Sequence, residues 1–274
     1  AAGGVPGVKV LDFSSDPAHN RTVLTFIGEP QAVKRAAFAS CEKAAELIDM
    51  ERHRGGHPRI GATDVIPFIP VADVTMEECV VLAHELGGEI ASKLSIPVYY
   101  YEAAAKRPGM KALPDVRRGE YEGLKEAIKT PDRAPDEGPQ AMHPTAGATV
   151  VGARPFLVAF NINLNTPDVS LAKKIAQTIR AAKGGYVNCR AIGLSMDDQG
   201  LAQVSINMTD YTSTPLHRVF ETVKSEAARY GVNVVGSEIV GLTPMQALID
   251  AANFYLRLEG FKREQVLETR LLAE

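Results

Sequence analysis

The alternation of apolar and polar positions changes period several times along the chain, and each change marks an element. Residues 8–13 (VKVLDF) and 21–27 (RTVLTFI) read as strands, the second alternating and β-branched. Between them lies a polar run with Asp12, Ser14, Ser15, Asp16, His19, Asn20 and Arg21, which reads as a loop at a strand end, a usual place to meet a ligand. A Gly-Glu-Pro turn follows, and then Val33, Ala36, Ala37, Ala44, Leu47 and Ile48 fall at helical spacing over 31–50. Residues 65–71 form an apolar strand. Thr75 and Glu78 make the capping box of a helix running to about residue 94, and 96–101 (IPVYYY) is a further strand. Residues 102–144 read as mostly loop, with one short helix over 121–129.

The second half begins near Gly152. It predicts strands over 155–164, 191–196, 202–208 and 232–237, helices over 168–182 and 215–230, and a last helix opened by Thr243 and Pro244. In PFLVAFNINL, Asn161 and Asn163 share one face and Phe160, Ile162 and Leu164 the other. Amides on one face suit a sheet that meets a polar ligand, since each amide both donates and accepts. The stretches RTVLTFIGEPQAVKRAAFASCEKAAELI and AQVSINMTDYTSTPLHRVFETVKSEAARYGV both run strand, polar turn, amphipathic helix. The fold class expected is therefore α/β (α+β), in two units, each a sheet covered by helices on one side.

Composition narrows the class of protein. With 274 residues, 45% hydrophobic and 23% charged, the chain can bury a sizeable core. A net charge of -3 argues against a nucleic-acid binder, which needs a basic surface to displace counterions. No apolar run approaches the ~18 residues of a membrane span, and the first residues do not make a signal peptide. Cys41, Cys79 and Cys189 are odd in number and widely spaced, as expected of reduced, buried thiols in a cytoplasmic protein.

Chemistry-bearing residues concentrate in 49–71, where two His and three Arg stand among glycines and acids. Glycines permit tight turns and close approach of a ligand, and an imidazole there titrates near neutrality. His53 and His57 have the spacing of a metal pair on a helix, but Gly55, Gly56 and Pro58 break any such helix, and no Cys cluster or zincin glutamate accompanies them. The lone His84 reads as a satisfied residue of its helix. Arg107, Arg117 and Arg118 form a basic set that reads first as a solvated face.

The run RHRGGHPRIGATDVIPFIPV resembles the signature of the formiminotransferase family, enzymes that move a formimino group from formiminoglutamate to tetrahydrofolate. NRTVLTFIGEP at 20–30, GATVVGARPFLVAFNINL at 147–164, LAQVSINMTDY at 201–211 and GSEIVGLTP at 236–244 carry the same resemblance along nearly the whole chain. It implies two ferredoxin-like subdomains, residues 1–150 and 151–274, with facing mixed β-sheets, helices on the outer sides and folate between the sheets. It makes His57, in the His-Pro-Arg triplet, the catalytic residue. It also makes Gly138, Pro139, Gln140, Ala141, Met142, His143, Pro144, Thr145, Ala146 and Gly147 the folate-binding segment, which from composition alone is a rigid linker.

Other expectations follow from that reading. Asn20, Arg21, Arg59, Asp64, Arg154, Asn161 and Asn163 become candidates for orienting or binding substrate, and Arg107, Arg117 and Arg118 for gripping a glutamate tail. Tetrahydrofolate is expected as co-substrate, without a metal, in a cytoplasmic homodimer acting on small molecules. Relatives usually open with a further strand containing an Asn-Phe-Ser-Glu-Gly turn, and that first strand is expected to be missing from this sequence. Mammalian members also carry an acid where Ser14 stands, for which Asp16 or Asp12 would substitute. Formyl transfer through the same site, and a folate-binding protein without catalysis, stand as the alternative readings.

Overall fold

Val98, Tyr99, Tyr100 and Tyr101 form a run without a charged position, and such a strand has to be covered on both faces. A computed structural model, describing residues 1–17, 20–196 and 199–271, shows how the chain covers it. The chain divides into two compact units, Ala1–Pro155 and Phe156–Glu274.

In the first unit, β1 (Val8–Asp16) and β2 (Arg21–Gly28) form an antiparallel hairpin in which Asp16 faces Arg21. The residues expected in a loop, Ser14 to Asp16, instead continue the strand, because Val23, Thr22 and Arg21 extend the ladder opposite them. Ser15 Oγ and Thr22 Oγ1 add a cross-strand hydrogen bond of 2.9 Å. His19, read as part of that loop, lies outside the described residues. Helix α1 (Pro30–Leu47) follows and ends where Ile48 becomes extended, earlier than the periodicity predicts.

β3 (Val65–Phe68) is shorter than expected; Pro70, which has no amide to give a ladder, lies just beyond it. Helix α2 (Met76–Leu94) carries the capping box read from sequence, with Glu78 N donating to Thr75 Oγ1 at 3.2 Å and Thr75 N to Glu78 Oε2 at 2.7 Å. β4 (Val98–Glu102) and β5 (Thr149–Ala153) complete a parallel sheet in the order β3-β5-β4. The central strand β5 was not expected. Its short TVVGA run abuts a Gly- and Pro-rich segment, and the reading at 150 placed a unit boundary inside it.

Both faces of this sheet are filled. Val98, Tyr100, Val151 and Ala153 meet Leu82, Leu86 and Ile90 of α2, with Ala37 and Cys41 of α1 beside them. Tyr99, Tyr101 and Val150 meet Ile60, Val116 and Leu124 on the other side. That second layer comes from the stretch read as mostly loop, which holds two short helices, α3 (Leu113–Val116) and α4 (Glu120–Ala127). The first unit therefore departs from the expectation of helices on one side only. A parallel sheet leaves no face for water.

The second unit runs β6 (Val158–Leu164), α5 (Val169–Ile179), β7 (Cys189–Met196), β8 (Leu201–Met208), α6 (Leu216–Ala228) and β9 (Val234–Val240). The strand order is β7-β8-β6-β9, antiparallel throughout, which is the expected ferredoxin-like arrangement. Val158, Phe160, Ile162 and Leu164 pack with Leu171 and Ile175 of α5 and Val219 and Val223 of α6. Each such side chain contributes roughly 1.5–3 kcal/mol when fully buried. The alternate residues of β6 keep Asn161 and Asn163 on the opposite face, as the two-residue period predicts. α7 (Met245–Leu256) and α8 (Leu267–Leu271) follow.

Cys41, Cys79 and Cys189 are free and buried, and burial pushes all three thiols up, Cys189 to about 11. A thiol reacts as its thiolate. A disulfide reagent at pH 8 should therefore label no thiol of the native protein within minutes and all three once denaturant is added. Prompt labelling of the native protein would contradict this packing.

Candidate active site

After α1 ends, the chain makes one turn at Asp49, whose carbonyl accepts from Arg52 N at 3.0 Å and His53 N at 2.9 Å. His53 is then an anchor. Its Nε2 donates to the Asn20 carbonyl at 2.9 Å, while Asn20 Nδ2 donates to the Arg54 carbonyl at 2.7 Å. Asn20, just before β2, thereby holds the segment that precedes Gly55 and Gly56. Asn20, expected to meet substrate, is the residue that makes this grip, and its φ of 48° places it in the left-handed region that Asn tolerates well.

A second anchor lies just beyond His57. Arg59 is buried and its guanidinium forks onto Glu122, at 2.9 Å from Nη1 and 2.6 Å from Nη2, with Nη1 also 3.2 Å from Glu120. The bidentate carboxylate holds the Arg59 guanidinium more firmly protonated than usual. Ile60 next to it has no exposure at all. Asp64 closes the segment: Oδ1 accepts from Ile60 N at 2.9 Å and Oδ2 from Arg117. Burial pushes the Asp64 carboxyl up, against the opposing pull of Arg117 and the Ile60 amide.

Between the two anchors, Gly55, Gly56 and Pro58 are exposed and His57 is half-buried. The imidazole thus rides on a short arch whose two feet are fixed by different elements.

Residues 138–147 lie against this arch's feet. Met50 N donates to the Thr145 carbonyl at 2.8 Å, Ala62 N to the Ala146 carbonyl at 2.8 Å, and Ala148 N to the Ile60 carbonyl at 3.0 Å. The other end of the segment is held where Val98 N donates to the Glu137 carbonyl at 3.0 Å. Gly138, Pro139, Gln140 and Ala141 are exposed between these ties, while Ala146 and Gly147 are buried. Met142 and His143 are half-buried, Thr145 likewise, and Pro144 is exposed.

The remaining candidates are dispersed. Arg21 is exposed at the start of β2, and Arg154 sits after β5, with its amide on the Phe68 carbonyl at 3.1 Å and Nη1 on the Pro155 carbonyl at 2.9 Å. Of the basic set, Arg107 is committed to Asp136 and to the Ala134 carbonyl, and Arg117 to Asp64. Arg118 stays 72% exposed.

In the second unit, Asn161 Nδ2 donates to Glu238 Oε1 at 3.0 Å, and Gln203 Nε2 donates to Asn163 Oδ1 at 2.9 Å and to Glu238 Oε1 at 3.1 Å. Gln203 and Glu238 escaped the sequence reading. Only the register, which sets Gln203 opposite Asn163 and Glu238 opposite Asn161, brings them to the two amides. Glu120 and Glu122 escaped it for a similar reason, being 61 and 63 residues from Arg59.

The geometry defines a Gly-rich segment that carries one half-buried imidazole and is tied by backbone hydrogen bonds on both sides to residues 145–148. The formiminotransferase domain's N-terminal subdomain matches residues 1–154, and the formiminotransferase domain matches residues 159–271. A glutamate formimidoyltransferase of Streptococcus pyogenes is 50% identical over 99% of this chain and 91% of its own length, and one of Thermoplasma acidophilum 49% over 99% and 90%. The formimidoyltransferase-cyclodeaminase of Sus scrofa is 48% identical over 95% of this chain and 49% of its own length. The chain belongs to the formiminotransferase family. It is, accordingly, a transferase.

Gly61 stands where the two segments touch. A Cβ there would drive into the Ala148 carbonyl oxygen and come within 2.7 Å of the Ala146 carbonyl oxygen and 2.9 Å of Ala148 N. Gly61→Ala should therefore lower unfolding stability by about 1–3 kcal/mol in a urea titration. An unchanged midpoint would show that the segments do not meet this closely.

Proposed function

We propose that this protein is a glutamate formimidoyltransferase, moving the formimino group of N-formimino-L-glutamate to N5 of tetrahydrofolate in histidine degradation, with His57 as the acid-base residue. The observation that carries the assignment of roles is the arch. It holds one half-buried imidazole between the His53–Asn20 and Arg59–Glu122 anchors, on a segment whose flanks are hydrogen-bonded to residues 145–148. The names and near full-length identity of the bacterial and archaeal relatives support the choice of reaction.

The chemistry asks for a single proton relay. When N5 attacks the formimino carbon, a C–N bond forms and N5 must lose its proton. The glutamate nitrogen must gain one as its own bond to that carbon breaks. His57 takes the first proton and returns it to the second nitrogen, ending in its starting state. Positioned acid-base help of this kind contributes roughly 10²–10⁴ in rate. The imidazole is suited to it because its ordinary pKa lies near neutrality.

The exposure of Gly138, Pro139, Gln140 and Ala141, between ties at both ends of the segment, fits a folate-binding role. Gly138 adopts φ +86°, which the turn requires and which a side chain would strain. Arg21 and Arg118 are exposed candidates for substrate carboxylates, Arg118 with Asp115 3.9 Å away, whereas Arg59 and Asp64 support the arch. On the second unit, Asn161 and Asn163 remain candidates to bind substrate, since an amide can both donate and accept. A cytoplasmic homodimer is part of the same reading, carried by the family resemblance. Among the described residues no helix is long and apolar enough to cross a membrane.

The test compares wild type and His57→Ala, following 5-formiminotetrahydrofolate. Transfer should fall by roughly two to four decades in the variant, with tetrahydrofolate still bound. A variant within threefold of wild type would remove His57 from the relay. A wild type that transfers only from N-formylglutamate would replace this reaction with formyl transfer.

A further inference from the structure

The turn at 143–147 is organised by its own imidazole. His143 Nδ1 accepts from two consecutive backbone amides, Ala146 N at 3.0 Å and Thr145 N at 3.3 Å. The His143 backbone meanwhile exchanges hydrogen bonds with Gly147, at 3.0 Å from His143 N and 3.2 Å from Gly147 N. A ring nitrogen that accepts carries no proton, so the neutral ring has its hydrogen on Nε2. Burial favours that neutral form.

One peptide links this ring to the arch. The Thr145–Ala146 peptide gives its N–H to His143 Nδ1 and its C=O to Met50 N. The ring therefore sets the plane of the group that receives the segment carrying His57. The adjacent Ala146 carbonyl receives Ala62 N on the far side of the arch. Gly147, at φ +74°, lets the turn come this close, since a Cβ there would lie 3.0 Å from Gly61 Cα and 3.1 Å from the Tyr121 ring.

We propose that His143 is a positioning residue for the transfer reaction, fixing through the Thr145–Ala146 peptide the placement of the His57 arch against the 138–147 segment. This rests on the roles given above to His57 and to residues 138–147. It assigns His143 no contact with the reacting atoms.

Two variants separate the acceptor from the bulk of the side chain. His143→Asn keeps an oxygen that can accept from the amides two and three residues on, as Asx turns do. His143→Leu keeps volume and removes the acceptor. Transfer by the Leu variant should fall roughly 10- to 100-fold in kcat/KM, the size expected of a reacting group displaced by about an ångström. The Asn variant should recover to within about threefold of wild type.

In wild type, long-range proton–nitrogen NMR should find the His143 proton on Nε2 and an unprotonated Nδ1. The Met50 amide should exchange with solvent faster in the Leu variant and not in the Asn variant. A Leu variant as active as wild type, an Asn variant as impaired as Leu, or a protonated Nδ1 would each overturn the proposal. A wild type that transfers no formimino group would instead overturn the reaction, and the tautomer and Met50 exchange would still decide whether His143 positions the arch.

Discussion

The arch at His57 depends on one constraint: backbone hydrogen bonds that tie the 143–148 stretch to Met50, Ile60 and Ala62. Side-chain ties alone would leave a Gly-Gly-His-Pro run poorly defined, since glycine admits many conformations. Backbone pairing on both sides of it removes that freedom before any ligand arrives, and a pre-set reacting group is what rate by positioning requires. Around this joint the charged residues act as struts. Arg59 reaches Glu122, Arg117 reaches Asp64, and Glu51 accepts from Tyr121 Oη at 2.7 Å and from Lys125. Lys125 and the Tyr121 hydroxyl hold the Glu51 carboxyl below its usual range.

The fold was legible where a single periodicity governs an element. α2, with its Thr75 and Glu78 capping box, and β6, with amides on one face, follow from local spacing alone. β5 did not, because five buried residues flanked by a Gly-rich run look the same whether they are a linker or the middle of a sheet. Its identity as a strand depends on β3 and β4, which lie far off in sequence and pair with it on either side. α3 is not legible for the same reason, while α4 matches the short helix expected over 121–129; their apolar residues become a core only against Tyr99 and Tyr101.

The site was legible at the level of motif and less so at the level of role. The segment around His57 stands out by composition and by resemblance, and residues 138–147 by resemblance alone. Arg59 reads from sequence as an orienting or binding group, and the approach of Glu120 and Glu122 to its guanidinium is not legible there. Asn20 is likewise drawn to the Arg54 carbonyl. Charged and amide residues beside a catalytic motif divide between holding the ligand and holding the motif, and long-range partners decide which.

Hydrogen exchange with and without tetrahydrofolate tests the joint most directly. Residues 50–62 and 138–147 form one unit in this account, so tetrahydrofolate should raise the protection of both stretches together. Protection confined to 138–147, with 50–62 exchanging as in the free protein, would contradict the coupling on which the arch is built.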